Sequence, residues 1–214
     1  MKAKRGGRRP RPPGRGPRLR AAVLAATLEE LTAVGFSALT IDNVARRAGV
    51  HKTSLYRNWK DRASLVADAL TDNVAGGVPI PNTGTIETDL RSYAQSLIGW
   101  LTSPLGRAVL AATISDAARA RPEIAEIEQN FYIDRLRRAR PMVTRAVARG
   151  ELAPETDADA VIKTVLAPIY LRLLITAEPV DDATADQAAR VALVAARAGA
   201  LSDSSSTVSG GRRP

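Results

Sequence analysis

The chain has 214 residues, one histidine, no cysteine and a formal net charge of +9, with 45% hydrophobic and 25% charged residues. That length buries a core without covalent staples, and the lack of cysteine excludes disulfides, thiol catalysis and thiolate metal sites while fitting a reducing compartment. No apolar run approaches the length of a bilayer-spanning helix, and the basic N-terminus lacks the apolar stretch of a signal peptide, so the expected address is the cytoplasm, at the nucleoid.

The charge is localised. Lys2, Lys4, Arg5, Arg8, Arg9, Arg11, Arg15, Arg18 and Arg20 all precede the first acid, Glu29, and the remaining chain carries 22 basic and 22 acidic residues. A Gly- and Pro-interrupted basic arm over residues 1–17 forms no core and is expected to be disordered alone. It reads either as a segment that follows a polyanion, nucleic acid first among them, or as a solvated tail.

From residue 18 onward the pattern is helical and strand signals nearly vanish. Val23, Ala26, Leu28 and Leu31 fall on helical spacing, and Gly35 supplies a stop. Thr40 is placed as N-cap of a second helix carrying Ile41, Val44, Ala45 and Ala48 on one face, with Asp42 in its first turn. Gly49 makes a tight turn, and a short third helix opens at His51 or Lys52. Asp61 caps a fourth helix with Leu65, Val66, Ala69 and Leu70 inward. The Gly- and Pro-rich stretch 76–84 then reads as a boundary between a domain over 18–75 and a second over 84–200.

Beyond the boundary, one helix is expected over 85–101. Ser103-Pro104 opens another, to about Ala120. Arg121-Pro122 restarts the chain into a long helix ending at Gly150, which Pro141 should kink or divide. Further helices are expected over 157–177, containing Pro168, and over 183–200, with a disordered low-complexity tail over 201–214. The fold class is all-α, with about nine helices.

The segment from Leu39 to Trp59, and residues 41–58 in particular, has the physics of a helix-turn-helix. Val44 and Ala45 face inward, Ala48 permits a close crossing, and Val50 and Leu55 pin the second helix onto the first. Lys52, Thr53, Ser54, Tyr56, Arg57 and Asn58 are left projecting outward. Short polar side chains at a helix start suit entry into a major groove. Arg46, Arg47, Lys60 and Arg62 surround them with positive charge. The same pattern also fits a helical hairpin with a solvated basic face.

Residues 18–70 resemble the DNA-binding domain of TetR-type repressors. The likeness is carried by Gly35-Phe36, Thr40, the run Ile41-Asp42-Asn43-Val44-Ala45-Arg46-Arg47-Ala48-Gly49-Val50, Leu55-Tyr56, Trp59, Arg62 and Leu65. It implies phosphate contacts from Thr40, Tyr56 and Arg62, with Lys52, Thr53 and Ser54 as base readers. Arg57 and Asn58 would sit at the groove edge, Arg57 among the readers and Asn58 on backbone phosphate beside Lys60. His51, next to the recognition helix, suits a phosphate or base edge better than catalysis. Trp59 stands where the family commonly has Phe, and Arg62 where it has Lys. The arm is longer than usual, and Arg9, Arg11, Arg15 and Arg18 are candidates for the adjacent minor groove.

The segments Ala148-Arg149-Gly150-Glu151-Leu152 and Ala167-Pro168-Ile169-Tyr170-Leu171-Arg172 are similar to one actinobacterial-type C-terminal class, which implies a ligand-sensing and dimerisation domain. The last two helices, with Val161, Val165, Ile169, Leu173, Ala192, Leu193 and Ala196, either build a homodimer interface or pack within the subunit. Candidate pocket residues are Tyr93, Leu97, Trp100, Leu101, Ile114, Phe131, Tyr132, Met142, Tyr170 and Ile175, each of which also suits a core position. Arg172 or Arg135 is placed to meet an acidic ligand or to lie at the surface.

The expectation is therefore a regulator, a repressor released from a palindromic operator by a small molecule of unknown chemistry. The alternative is an architectural DNA-binding protein without a ligand. With one histidine, no phosphate-binding glycine loop and no metal-ligand cluster, no enzyme, metal or cofactor is expected.

Overall fold

The computed structural model describes residues 15–114 and 122–202. Among these, nine α-helices and no strand are present: α1 (Arg15–Ala38), α2 (Ile41–Ala48), α3 (Lys52–Asn58), α4 (Arg62–Gly77), α5 (Ile86–Leu101), α6 (Pro104–Ile114), α7 (Pro122–Ala148), α8 (Ala158–Leu171) and α9 (Asp182–Arg197). Two hydrophobic cores organise them. The first gathers Val23, Leu24, Leu31, Val44, Leu55, Leu65 and Leu70 from α1–α4. The second gathers Leu90, Tyr93, Leu97, Met142, Ile162, Ile169 and Leu193 from α5 and α7–α9. Val109 and Phe131 pack against both.

Local sequence chemistry sets most boundaries. Thr40 accepts the Asn43 amide at 3.1 Å and caps α2, Thr85 caps α5, and Asp61 forms a reciprocal capping box with Ser64 at the start of α4. Ser103 accepts the Gly106 amide at 3.1 Å behind Pro104, as a proline at the first helical position allows. Gly49 takes φ 67° and ψ 33°, a left-handed conformation that strains any residue with a Cβ, and so turns the chain from α2 into α3.

Several expectations are corrected. The helix begins at Arg15, so the arm's last three residues, 15–17, belong to α1. Helix α4 runs through Gly76 and Gly77 rather than ending at 75. Val74 and Val78 are buried in the second core and hold the last turn, and a Cβ on Gly77 would lie 2.9 Å from the Trp100 ring. The glycine admits the indole there and does not break the helix. The following linker is fastened by the fully buried Asp89, which accepts the Thr83 amide at 2.6 Å and its hydroxyl at 2.8 Å.

Pro141 neither ends nor divides α7. It lies on the exposed face with Arg137, where the carbonyl that loses its amide partner is open to water. Helix α8 passes through Pro168 and, from Arg172 to Thr176, widens into a π turn that ends at Ala177 in the left-handed region. Helix α9 starts one residue earlier than expected, behind the Asp181 cap, and ends three earlier, at Arg197.

By length and composition, Gly16–Ala38 within α1 is apolar enough to cross a membrane, contrary to the reading that no run approaches that length. In the fold its apolar side is covered: Val23, Leu24, Ala26 and Leu31 are buried, and α2, α4 and α6 pack against it.

Candidate functional site

The helix-turn-helix is tied to α1 by a buried acid. Glu30, 4% exposed, accepts from Asn43 Nδ2 at 2.9 Å and from Arg47 Nε and Nη2 at 3.1 and 2.8 Å. The Arg47 guanidinium holds the Glu30 carboxyl below the usual carboxylate range, against the opposing effect of burial. On the other side of α3, Trp59 is buried and its indole N–H donates to Asp68 at 2.9 Å. Asp68 also receives Arg20 at 2.6 Å, and Arg20 reaches Asp72 at 3.1 Å. Arg20, part of the basic N-terminal run by sequence, is thus a clamp between α1 and α4.

These anchors leave one face of α2 and α3 open. His51 caps α3 without a side-chain bond. Lys52, Thr53, Tyr56, Arg57 and Asn58 are exposed and Ser54 is half-buried. Lys52 Nζ lies 3.6 Å from Asp42, a solvent-exposed pairing that water and salt weaken. Asn58 bonds back to the Ser54 carbonyl at 2.7 Å. The Thr40 oxygen accepts in the cap, so its O–H remains available to donate, as a phosphate contact needs. Lys60 is exposed beside this face. Arg46, counted by sequence only among the surrounding cations, is exposed there too, oriented by a 2.6 Å bond to Asn43 Oδ1.

Arg62, expected at a phosphate, is engaged within the fold. Its Nη1 donates to the carbonyls of Ser37 and Leu39 at 3.4 and 3.2 Å, and its guanidinium lies 4.4 Å from the Phe36 ring centroid. Its first role is to close the end of α1 onto α4. Arg18 stands on α1 and Arg15 opens it, while Arg9 and Arg11 lie outside the described residues.

The expected pocket residues divide. Leu97, Leu101 and Met142 are fully buried and belong to the packed core. Trp100 is also buried, donates to Asn73 at 2.8 Å and stands 6.1 Å from Phe131, centroid to centroid. Tyr132 and Ile175 are exposed, and the Ile114 side chain lies outside the described residues. Arg172 bonds the Pro179 carbonyl and the Thr184 hydroxyl on the outer face of α8 and α9. There it borders a groove of about 540 Å³ with Pro168, Leu171 and Val191.

A second cavity, of about 150 Å³, is walled by Val74 and Ala75 of α4, its capping Val78, Ile80, Tyr93, and Arg135 and Arg138 of α7. Arg135 donates to the Tyr170 hydroxyl. Burial pushes the Tyr93 phenol up to about 12. Of the two arginines that the sequence placed either to meet an acidic ligand or at the surface, Arg135 is not at the surface: it is 3% exposed, on the apolar α7 stripe that includes Phe131, Ala139, Met142 and Ala146.

An all-helical chain with a capped helix-turn-helix in one core and a helical bundle in the other is a DNA-binding transcription regulator in architecture, and comparison with known proteins agrees. Residues 23–69 match the family of bacterial regulatory proteins, tetR family, and residues 80–192 match the tetracyclin repressor-like C-terminal domain. The chain is 36% identical over 167 residues to the HTH-type transcriptional regulator AqdR of Rhodococcus erythropolis, covering 77% of this chain and 80% of that one. It is 32% identical over 181 residues to the DNA-binding transcriptional repressor TetR of Mycobacteroides abscessus, covering 79% and 88%. The crystal structure of the TetR family transcription regulator SCO0332 superposes with a TM-score of 0.68 at 30% identity, covering 82% of this chain and 97% of that one. The protein belongs to the TetR family. It is a DNA-binding transcriptional regulator and not an enzyme, and regulators of this family bind operator DNA as dimers.

Proposed function

We propose that the protein is a repressor that holds a palindromic operator as a homodimer built from α8 and α9, and that a small molecule binding beside α4 releases it. The observation that carries this reading is the span of α4. It starts at the Asp61 cap directly after α3, and its far end, through Val74, Ala75 and the capping Val78, forms cavity wall. A ligand that fits better when the two recognition helices are wrongly spaced shifts the population away from the DNA-bound state. Half-sites one turn apart require those helices about 34–36 Å apart.

Lys52, Thr53, Ser54 and Arg57 are the proposed base readers. Thr40, Tyr56, Asn58, Lys60 and His51 are the proposed phosphate contacts, with Arg46 added and Arg62 mainly bracing the module. The dimer face is supported by the apolar side chains that α8, the π turn and α9 leave uncovered: Leu171 is 52% exposed, Ile175 74%, Val191 54% and Val194 65%. Large apolar side chains left in water on neighbouring elements suit an association site.

Selection of binding sites from genomic fragments with purified full-length protein tests the reading. Enrichment of a palindrome, bound several orders of magnitude more tightly than unrelated duplex, supports it. Equal affinity for unrelated duplexes would make the protein an architectural DNA binder instead.

A further inference from the structure

The cavity beside α4 contains a charge with no acid opposite it among the described residues. Arg135 is 3% exposed. Its Nε and Nη1 lack a hydrogen-bond partner, and so does the hydroxyl of the fully buried Tyr93. The Tyr170 hydroxyl takes one further N–H, and the Phe131 and Tyr170 rings lie 5.9 and 5.3 Å from the guanidinium. Aromatic faces favour a cation, but they do not satisfy two in-plane donors. Among the described residues no carboxylate pairs with Arg135. The nearby Asp134 is bound by Arg137 and Arg138, and the cavity wall holds two arginines and no acid.

A buried, unpaired guanidinium is strongly disfavoured unless something completes it. Nε–H and Nη1–H point to different sides of the planar guanidinium, so one carboxylate does not bridge them, but each is an open charge-assisted donor that a carboxylate oxygen can accept. The rest of the wall, Val74, Val78 and Ile80, is apolar. A cavity of roughly 150 Å³ is known elsewhere to hold a body the size of one benzene ring.

We propose that the effector is a small organic monocarboxylate with a compact apolar body, whose carboxylate pairs with Arg135 and accepts from the Tyr93 hydroxyl while its body rests on α4. This deepens the reading of a ligand-released repressor and rests on it. Phe131 makes the site more than a store of charge, since it lies against Arg135 and packs on both hydrophobic cores. Filling the cavity therefore acts beside a side chain that packs on both domains.

The test uses full-length protein with benzoate, butyrate and hexanoate, each set against its neutral amide, and reads binding by calorimetry and operator occupancy in the same samples. At least one carboxylate should bind saturably and lower operator occupancy, with its amide at least tenfold weaker. Arg135→Gln should weaken that carboxylate by roughly 10- to 100-fold, as expected for a charge-assisted pair, Arg135→Lys by less, and Tyr93→Phe by a few-fold. The wild-type series alone decides the matter if a variant fails to fold. Operator binding by wild type with no response to any of the carboxylates, or with amides binding equally, overturns the anionic effector and leaves the regulator intact. Failure of wild type to select any operator overturns the functional reading itself.

Discussion

Glu30 and Arg47 meet side-on, one carboxylate oxygen accepting from Nε and Nη2 of the same guanidinium at 3.1 and 2.8 Å. The pair fixes α2 to α1, so its protonation state governs how the helix-turn-helix is held. Its folded-state carboxyl is held below the ordinary value of 4.5. A depressed acid stabilises the fold fully above its unfolded value, and that contribution is lost as pH falls through the folded one. The stability gap between wild type and Glu30→Gln in urea titrations should be constant near neutrality and shrink below about pH 4.5. A gap that stays level into the acid range would show that the charge on Glu30 does not matter.

Arg62 invites a separate test because two roles compete for one guanidinium. If it braces α1 through Phe36, Ser37 and Leu39, Arg62→Ala should lower unfolding free energy by about 1–2 kcal/mol. Arg62→Lys should recover part of this, since an ammonium keeps the charge but lacks the planar stack. A side chain that served phosphate alone would leave stability unchanged and reduce only the salt slope of operator binding. Chemical denaturation and a salt titration separate the two outcomes.

The DNA-binding half was legible because its signals are local. Thr40, Gly49 and Asp61 state caps and a turn in single residues, and the apolar spacing of Val44, Leu55 and Leu65 orients everything between. What stayed hidden depends on partners far away in the chain. Nothing near Arg20 announces Asp68 and Asp72, and Arg62 reads as a free cation until Phe36 is placed beneath it. Gly76-Gly77 looks like a breaker until Trp100 is packed against it. The proposed effector region was the least legible, because one apolar code serves both Tyr93, in the cavity wall, and Leu97 and Met142, in the core. The informative residue was the misfit, Arg135.

The arm before α1 supplies six cations within residues 1–14, at Lys2, Lys4, Arg5, Arg8, Arg9 and Arg11. Deleting residues 2–14 removes them without touching Arg20, which is committed to Asp68 and Asp72. Each phosphate that the arm neutralises should add about 0.9 to the magnitude of the logarithmic salt slope, so the truncated protein should show a shallower one. The operator sequence selected by the truncated protein should remain the same, since the proposed base readers lie on α3. An unchanged slope would make the arm a solvated tail, and a changed operator preference would mean that it reads the minor groove.

The uncovered face of α8 and α9 gives the most direct test of assembly. Val194 and Val191 lie one turn apart on α9, and the latter borders the groove shared with Pro168 and Leu171. A carboxylate at Val194 is harmless in a monomer, where the position is largely in water, but in a dimer interface it becomes a buried, unpaired charge costing several kcal/mol. Val194→Glu should therefore keep its helical content and sediment as a monomer at concentrations where wild type is dimeric. Operator affinity should fall by at least tenfold, because each half-site is then bound alone. A Val194→Glu protein that remains dimeric would place the interface elsewhere and leave the exposed valines to another partner.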